Sequence, residues 1–118
     1  EPTTGQDYRM VQSIMALLGE LHGQGKTVLI ITHDMTLVAS YSQRAVVLRD
    51  GRAIFSGSPR ELFSQPEVVR AAHLRAPQAI SLSLAMREEN PEFPLLLNTS
   101  EWVRALEEYR QEQLSMPG

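Results

Sequence analysis

The sequence predicts an α/β fold, and three features of its first half carry this prediction. Apolar residues recur at helical spacing from Tyr8 to His22, which indicates an amphipathic helix that Gly23-Gln24-Gly25 ends with a left-handed stop. The run from Lys26 to Thr32 is apolar without alternation, a pattern typical of a parallel strand buried on both faces. Asp50-Gly51 between two apolar runs predicts a two-residue hairpin, since both turn positions need a positive φ. We therefore expect helices packed on a sheet that an antiparallel hairpin completes.

The remaining elements follow from local signals along the chain. A short helix is expected from about residue 34 to 40, and Ser58-Pro59-Arg60-Glu61 combines an N-cap hydroxyl, a first-turn proline and a glutamate that reaches back to the cap. Pro66 starts another helix, and two more are expected over 79–89 and 100–113, the second capped by the Asn98-Thr99-Ser100 cluster. Prolines become frequent after residue 75, so we expect a domain of residues 1–75 and a mainly helical extension of residues 76–118.

Composition limits the classes of function. The 118 residues contain 11 Lys and Arg against 14 Asp and Glu, so the net charge of -3 provides no positive field for nucleic acid. The absence of cysteine excludes thiolate metal sites, and no other metal site is predicted. No apolar run approaches the roughly 20 residues of a membrane-spanning helix. The opening residues contain neither an initiator Met nor a signal peptide, so we expect the chain to begin inside a longer protein.

Two polar segments are candidates for a functional site. Thr32-His33-Asp34 follows the predicted parallel strand, and ligands of open α/β sheets bind at the carboxyl ends of such strands. An imidazole there could bond a phosphate, although a histidine that only bonds nearby backbone is equally compatible with this position. Glu1 lies in a predicted loop at the same sheet edge, where a carboxylate could orient a water for attack on a phosphoryl group. The alternative for Glu1 is a solvated residue.

The ordered set of motifs resembles the C-terminal half of an ATP-binding cassette (ABC) ATPase. The set is Glu1-Pro2-Thr3-Thr4-Gly5-Gln6-Asp7, a helix, a Gly-x-Thr-Val strand, Ile31-Thr32-His33-Asp34, and Leu48-Arg49-Asp50-Gly51 leading to Gly57-Ser58-Pro59. The Thr-Thr-Gly-Gln-Asp variant and the His-Asp-Met-x-Leu-Val-Ala run are most similar to the ATPase subunits of energy-coupling factor transporters, which import vitamins and metal ions such as cobalt and nickel. The resemblance covers residues 1–75 well and residues 76–118 only loosely.

The resemblance implies roles for four residues. Glu1 matches the glutamate that closes the Walker B motif and polarises the attacking water. His33 matches the switch histidine that contacts the γ-phosphate of ATP. Gly5 and Asp7 match the D-loop, which crosses the dimer interface and couples the two nucleotide sites. The usual Ser-x-Leu-Asp pattern of that loop is replaced here by Thr4, Gln6 and Asp7.

The same resemblance implies a P-loop NTPase domain that binds ATP and Mg²⁺ and drives solute import. The Gly-x-x-x-x-Gly-Lys-Ser/Thr pattern does not occur in the chain, so we expect this segment to be inactive alone and most Mg²⁺ ligands to precede Glu1. The implied partners are a second ATPase subunit and transmembrane transporter subunits, with no nucleic acid. The implied location is cytoplasmic, on the inner face of the cell membrane.

Two alternatives remain open. Residues 79–118 could form a non-catalytic regulatory or dimerisation module if their apolar side chains pack between subunits. Packing of these side chains back on the same domain is the expected arrangement. The residues are Ile80, Leu82, Leu84, Leu95 to Leu97, Trp102 and Leu106. The chain could also belong to a cassette ATPase that acts in DNA repair or translation, although its charge argues against nucleic-acid binding.

Overall fold

The computed structural model describes residues 8–115, which divide into two compact units. The first unit ends at Asp34 and the second begins at Met35. Within residues 8–115 the elements are six helices and two strands: α1 (Tyr8–Gly23), α2 (Met35–Tyr41), β1 (Ala45–Arg49), β2 (Arg52–Gly57), α3 (Pro59–Phe63), α4 (Pro66–Ala71), α5 (Gln78–Glu89) and α6 (Thr99–Ser115).

Helix α1 ends in a glycine-dependent cap, as its sequence predicts. Gly25 has a φ of 88°, and its N–H donates to the carbonyl of His22 at 3.0 Å. The N–H of Lys26 donates to the carbonyl of Leu21 at 3.1 Å. These two bonds form a Schellman motif, in which only glycine takes the left-handed position without steric cost. The helix prediction over residues 8–22 is confirmed.

The prediction of a buried parallel strand from Lys26 to Thr32 is wrong for this structure. The segment belongs to no strand, and the side chains of Leu29 and Ile31 are 86% and 82% exposed. Val28 and Ile30 are half-buried, so burial alternates along the run even though hydrophobicity does not. The physical reason is pairing: a strand needs a hydrogen-bonded neighbour, and within residues 8–115 the only ladder joins β1 to β2.

The second unit contains the predicted antiparallel hairpin. Strand β1 pairs with β2, from Ala45 opposite Gly57 to Arg49 opposite Arg52, with one irregularity between Val47 and Leu48. Asp50 and Gly51 take φ values of 51° and 74° in the two-residue turn. Both values are positive, as a type I′ turn requires, so the hairpin prediction is confirmed.

Helix α3 begins with a complete capping box. The N–H of Glu61 donates to Ser58 Oγ at 3.1 Å, and the N–H of Ser58 donates to Glu61 Oε1 at 3.4 Å. Pro59 occupies the first turn, where its missing N–H has no consequence. Pro66 likewise opens α4, and Asn98 Oδ1 accepts the N–H of Glu101 at 3.0 Å at the start of α6. The predicted capping signals are therefore confirmed.

One apolar core joins helices α2 to α5 of the second unit to its hairpin. Its most deeply buried members, Leu62, Phe63 and Ile80, are at most 1% exposed, and each such side chain contributes about 1.5–3 kcal/mol. The complete cluster of buried residues contains Met35, Ala39, Val47, Leu62, Phe63, Val69, Ile80, Leu95 and Leu97. Residues on both sides of position 75 thus share one core. The division into a domain of residues 1–75 and an extension of residues 76–118 stays a prediction.

Candidate functional site

His33 is the predicted site residue that the structure describes. It lies at the end of the first unit, in the segment between α1 and α2, and is exposed, whereas its neighbours Thr32 and Asp34 are half-buried. An imidazole has two ring nitrogens, one of which donates a hydrogen bond in the neutral form while the other accepts. This group can therefore contact a phosphate oxygen directly.

A hydrogen bond closes the chain around His33. The main-chain N–H of Asp34 donates to the Thr32 Oγ1 atom at 3.0 Å. Serine and threonine hydroxyls often accept from the N–H two residues later and so stabilise a tight turn. The bond brackets His33, which becomes the central residue of a three-residue turn directly before α2.

Glu1, Gly5 and Asp7 lie outside the described residues. The predicted meeting of Glu1 with His33 at one sheet edge, and the D-loop positions of Gly5 and Asp7, therefore stay predictions. Within residues 8–115, no group of three or more His, Asp and Glu side chains is placed to hold a metal ion. The described residues do not fit a Mg²⁺ site.

Sequence reasoning missed a connection between α3 and the segment before α6. Arg60 Nη1 donates to the carbonyl of Leu95 at 2.6 Å, and Arg60 Nη2 donates to Glu101 Oε1 at 3.0 Å. The Glu101 carboxylate also accepts the N–H of Leu97 at 3.3 Å. One guanidinium thereby holds both the main chain at Leu95 and the first turn of α6. No sequence pattern indicates a contact between residues 35 and 41 positions apart.

Ser83 makes a second such connection, from α5 to the same segment. Its side chain is fully buried, and its Oγ accepts the N–H of Leu96 at 3.0 Å. The hydroxyl has carbonyl acceptors at Ala79, 3.0 Å away, and at Leu96, 3.3 Å away. Trp102 Nε1 also donates to the carbonyl of Ala79, at 3.0 Å. Polar side chains therefore anchor residues 95–102 on α3 and α5.

Two structural properties bear on how the chain could work. Within the part of the chain from residue 8 to 115, no helix has both the length and the apolar character needed to cross a bilayer. Helix α6 contains no buried residue, and four of its apolar side chains are about half or more exposed: Val103, Leu106, Tyr109 and Leu114. Together they form an exposed apolar face, which is a candidate surface for contact with another molecule.

Comparison with known proteins identifies related sequences, although no family model matches the chain. A protein of Methanosarcina acetivorans that is named as an ABC transporter ATP-binding protein is 42% identical over 101 residues, 86% of this chain. The energy-coupling factor transporter ATP-binding protein EcfA of Methanococcus maripaludis is 43% identical over 90 residues, 76% of the chain. EcfA2 of Methanospirillum hungatei is 40% identical over 94 residues, 80% of the chain.

The chain spans only part of these relatives. The matched residues amount to 16% of the Methanosarcina protein, 32% of EcfA and 24% of EcfA2. Identity of 40–43% over most of the chain nevertheless confirms the resemblance to an ABC ATPase of energy-coupling factor type that the motifs indicated.

Proposed function

We propose that this chain, which is homologous to the ATP-binding proteins of ABC transporters, is the C-terminal part of an ATP-hydrolysing subunit of the energy-coupling factor type. The complete subunit would contain a P-loop NTPase fold, and the helices and antiparallel hairpin described here agree with that fold. Two relatives are named as energy-coupling factor transporter ATP-binding proteins, which supports this type.

The observation that carries the proposal is the exposed His33 in its closed turn. The imidazole is presented to solvent by a turn that Thr32 and Asp34 bracket, directly before α2. An exposed imidazole suits the contact with a γ-phosphate that the family resemblance implies. On this proposal, His33 senses whether the γ-phosphate is present, and the sensed state changes on hydrolysis.

Glu1 has the second chemical role in the proposal. Its carboxylate would accept a hydrogen bond from the attacking water and so orient that water on the γ-phosphorus. Gly5 and Asp7 would couple the two nucleotide sites across the interface between ATPase subunits. The resemblance implies Mg²⁺ in the complete domain, with its ligands on residues outside 8–115.

The proposed activity requires the complete subunit. Phosphoryl transfer depends on backbone N–H groups, a lysine and a metal that grip the phosphates, and this stretch contains no Gly-x-x-x-x-Gly-Lys-Ser/Thr pattern. We therefore expect the 118-residue segment to hydrolyse no ATP by itself. The complete protein would pair with a second ATPase subunit and with transmembrane subunits, on the cytoplasmic face of the membrane, to import a vitamin or a metal ion.

The decisive experiment compares variants of the full-length protein. Glu1→Gln should retain ATP binding and lose most turnover, because the amide cannot accept the water's proton as a carboxylate can. His33→Ala should also lose turnover. Glu20→Gln and His22→Ala are matched controls, since both residues are exposed on α1, and their turnover should stay normal. Normal turnover in Glu1→Gln or in His33→Ala would remove that residue from its proposed role.

A second candidate function rests on the exposed apolar face of α6. This face, formed by Val103, Leu106, Tyr109 and Leu114, favours a regulatory or dimerisation module over a helix that serves only its own domain. Ile80 and Leu95 to Leu97 of the extension are buried, whereas Leu82 on α5 is 51% exposed. Trp102 fluorescence followed on dilution tests the candidate, because separation of copies would change the solvent around α6. A spectrum independent of concentration would leave α6 a monomeric surface.

A further inference from the structure

We propose that an open pocket between α4 and α5 binds a short aliphatic carboxylate, with the hydrocarbon chain inside the pocket and the carboxylate on Arg70. The inference concerns a surface of the second unit that the proposed function does not use. It starts from two observations: a small cavity lined almost entirely by apolar side chains, and one arginine in that lining whose side chain has no partner within residues 8–115.

Helices α3, α4 and α5 and the segment between α4 and α5 line the pocket. The buried residues Phe63, Val69 and Ile80 give it an apolar interior, together with the half-buried Ala76 and Leu84. The cavity volume is about 200 Å³. Sites for drug-sized ligands have roughly 300–1,000 Å³, so the occupant of this pocket is smaller than such a ligand. A short hydrocarbon chain meets this limit, and its burial removes apolar surface from water.

Arg70 is the one charged residue in the pocket lining, and it is exposed to solvent. Its guanidinium forms no hydrogen bond or ion pair with any residue from 8 to 115. A guanidinium presents its N–H donors in a planar fork that matches the two oxygens of a carboxylate. Arg60 makes such a contact in the same unit, since its Nη2 lies 3.0 and 3.3 Å from the two carboxylate oxygens of Glu101. A carboxylate is therefore the complement that Arg70 lacks.

The pocket and Arg70 together select one class of ligand. A cationic ligand would place its charge against the guanidinium, and a neutral ligand would leave the guanidinium without a charged partner. A polyphosphate would contact Arg70 but would not enter the pocket, because ionised groups are costly to bury among apolar side chains. An aliphatic carboxylate satisfies both features, since its charge stays at the exposed arginine while its chain occupies the apolar interior.

Ligand-observed NMR titrations of the full-length protein, without nucleotide, test the proposal with hexanoate as the probe. Hexanoate should bind saturably and roughly tenfold or more tightly than acetate, because each buried methylene adds to the affinity. It should also bind more tightly than 1-hexanol, which has the same chain length and no charge. Arg70→Gln should weaken hexanoate binding by about three- to tenfold, through loss of the ion pair, and should leave 1-hexanol binding unchanged.

Two further variants separate the roles of charge and cavity. Arg75→Gln is the matched control for Arg70→Gln, because Arg75 is exposed between α4 and α5 and does not line the pocket. Ala76→Leu should weaken the binding of both hexanoate and 1-hexanol, because the larger side chain fills part of the cavity. Circular dichroism verifies folding, and Leu84→Phe replaces Ala76→Leu as the filling substitution if the leucine variant unfolds.

Four results would each overturn the proposal: no saturable binding of hexanoate, equal affinities for hexanoate and 1-hexanol, equal effects of Arg70→Gln and Arg75→Gln, or undiminished binding in the folded filling variant. Equal affinities would assign the pocket to a neutral apolar ligand instead. Failure to bind hexanoate, combined with self-association that Arg70→Gln weakens, would assign it to a side chain of a second protein molecule. The titrations do not depend on ATP turnover, so their failure leaves the proposed function intact, and normal turnover in His33→Ala leaves the carboxylate site intact.

Discussion

Replacing Ser83 with alanine should destabilise the second unit by about 2 kcal/mol. The substitution leaves the buried N–H of Leu96 without its acceptor, which lies 3.0 Å away in the native protein. An unsatisfied buried donor costs about 1–3 kcal/mol, more than the net value of a formed bond. The carbonyl of Ala79 is little affected, because it still accepts from Trp102 Nε1 at 3.0 Å. The cost therefore comes mainly from one orphaned N–H group.

Urea denaturation followed by the fluorescence of Trp102, the only tryptophan of the chain, measures this loss. A loss of about 2 kcal/mol corresponds to a melting temperature lower by roughly 8 °C for a domain of this size. Ser81→Ala is the matched control, since Ser81 is exposed on the same helix α5 and both substitutions change helix propensity equally. If the two variants are equally stable, the buried hydrogen bond does not hold residues 95–97 as we infer.

Three further predictions follow from the structure. Arg60→Gln should destabilise the protein by about 1–2 kcal/mol in urea denaturation, since it removes bonds to a main-chain carbonyl and to Glu101; a loss below 0.5 kcal/mol would contradict this. Gly51→Ala should lower the free energy of unfolding by about 1–2 kcal/mol, because Gly51 has a φ of 74°. Gly19→Ala, inside helix α1, should raise it. Thermal melts check both, since the first variant should melt at a lower and the second at a higher temperature than wild type. His73→Gly should raise the melting temperature slightly, because His73 has a φ of 58°, a left-handed conformation that strains a residue with a side chain. A melting temperature below that of wild type would refute this strain.

Local sequence signals predicted most of the secondary structure. The Gly25 cap, the Asp50-Gly51 turn and the capping box of α3 each depend on residues at most five positions apart, and each is present as predicted. Such motifs are predictable because the side chains and the main-chain groups that they satisfy are neighbours in the chain. Helices α5 and α6 lie within two residues of the predicted ranges 79–89 and 100–113, and the predicted Asn98 cap is present at the start of α6.

The candidate site was predicted only in part. The motif Thr32-His33-Asp34 located the histidine, and its exposure agrees with a role in binding. The hydrogen bond within the turn was not predicted, because the sequence shows a possible acceptor and not whether the backbone turns toward it. The roles of Glu1, Gly5 and Asp7 stay predictions that the full-length variants test.

By itself, the sequence determined the helices, the hairpin, the charge balance and the order of motifs that indicates an ABC ATPase. Tertiary structure alone decided that the apolar run before His33 forms no strand within residues 8–115, that Arg60 and Ser83 hold residues 95–101, and that α6 exposes an apolar face. The reason is physical. Turns and caps are satisfied by neighbours in sequence, whereas strand pairing and burial depend on which distant segment supplies the partner, and hydrophobicity along the chain does not specify that partner.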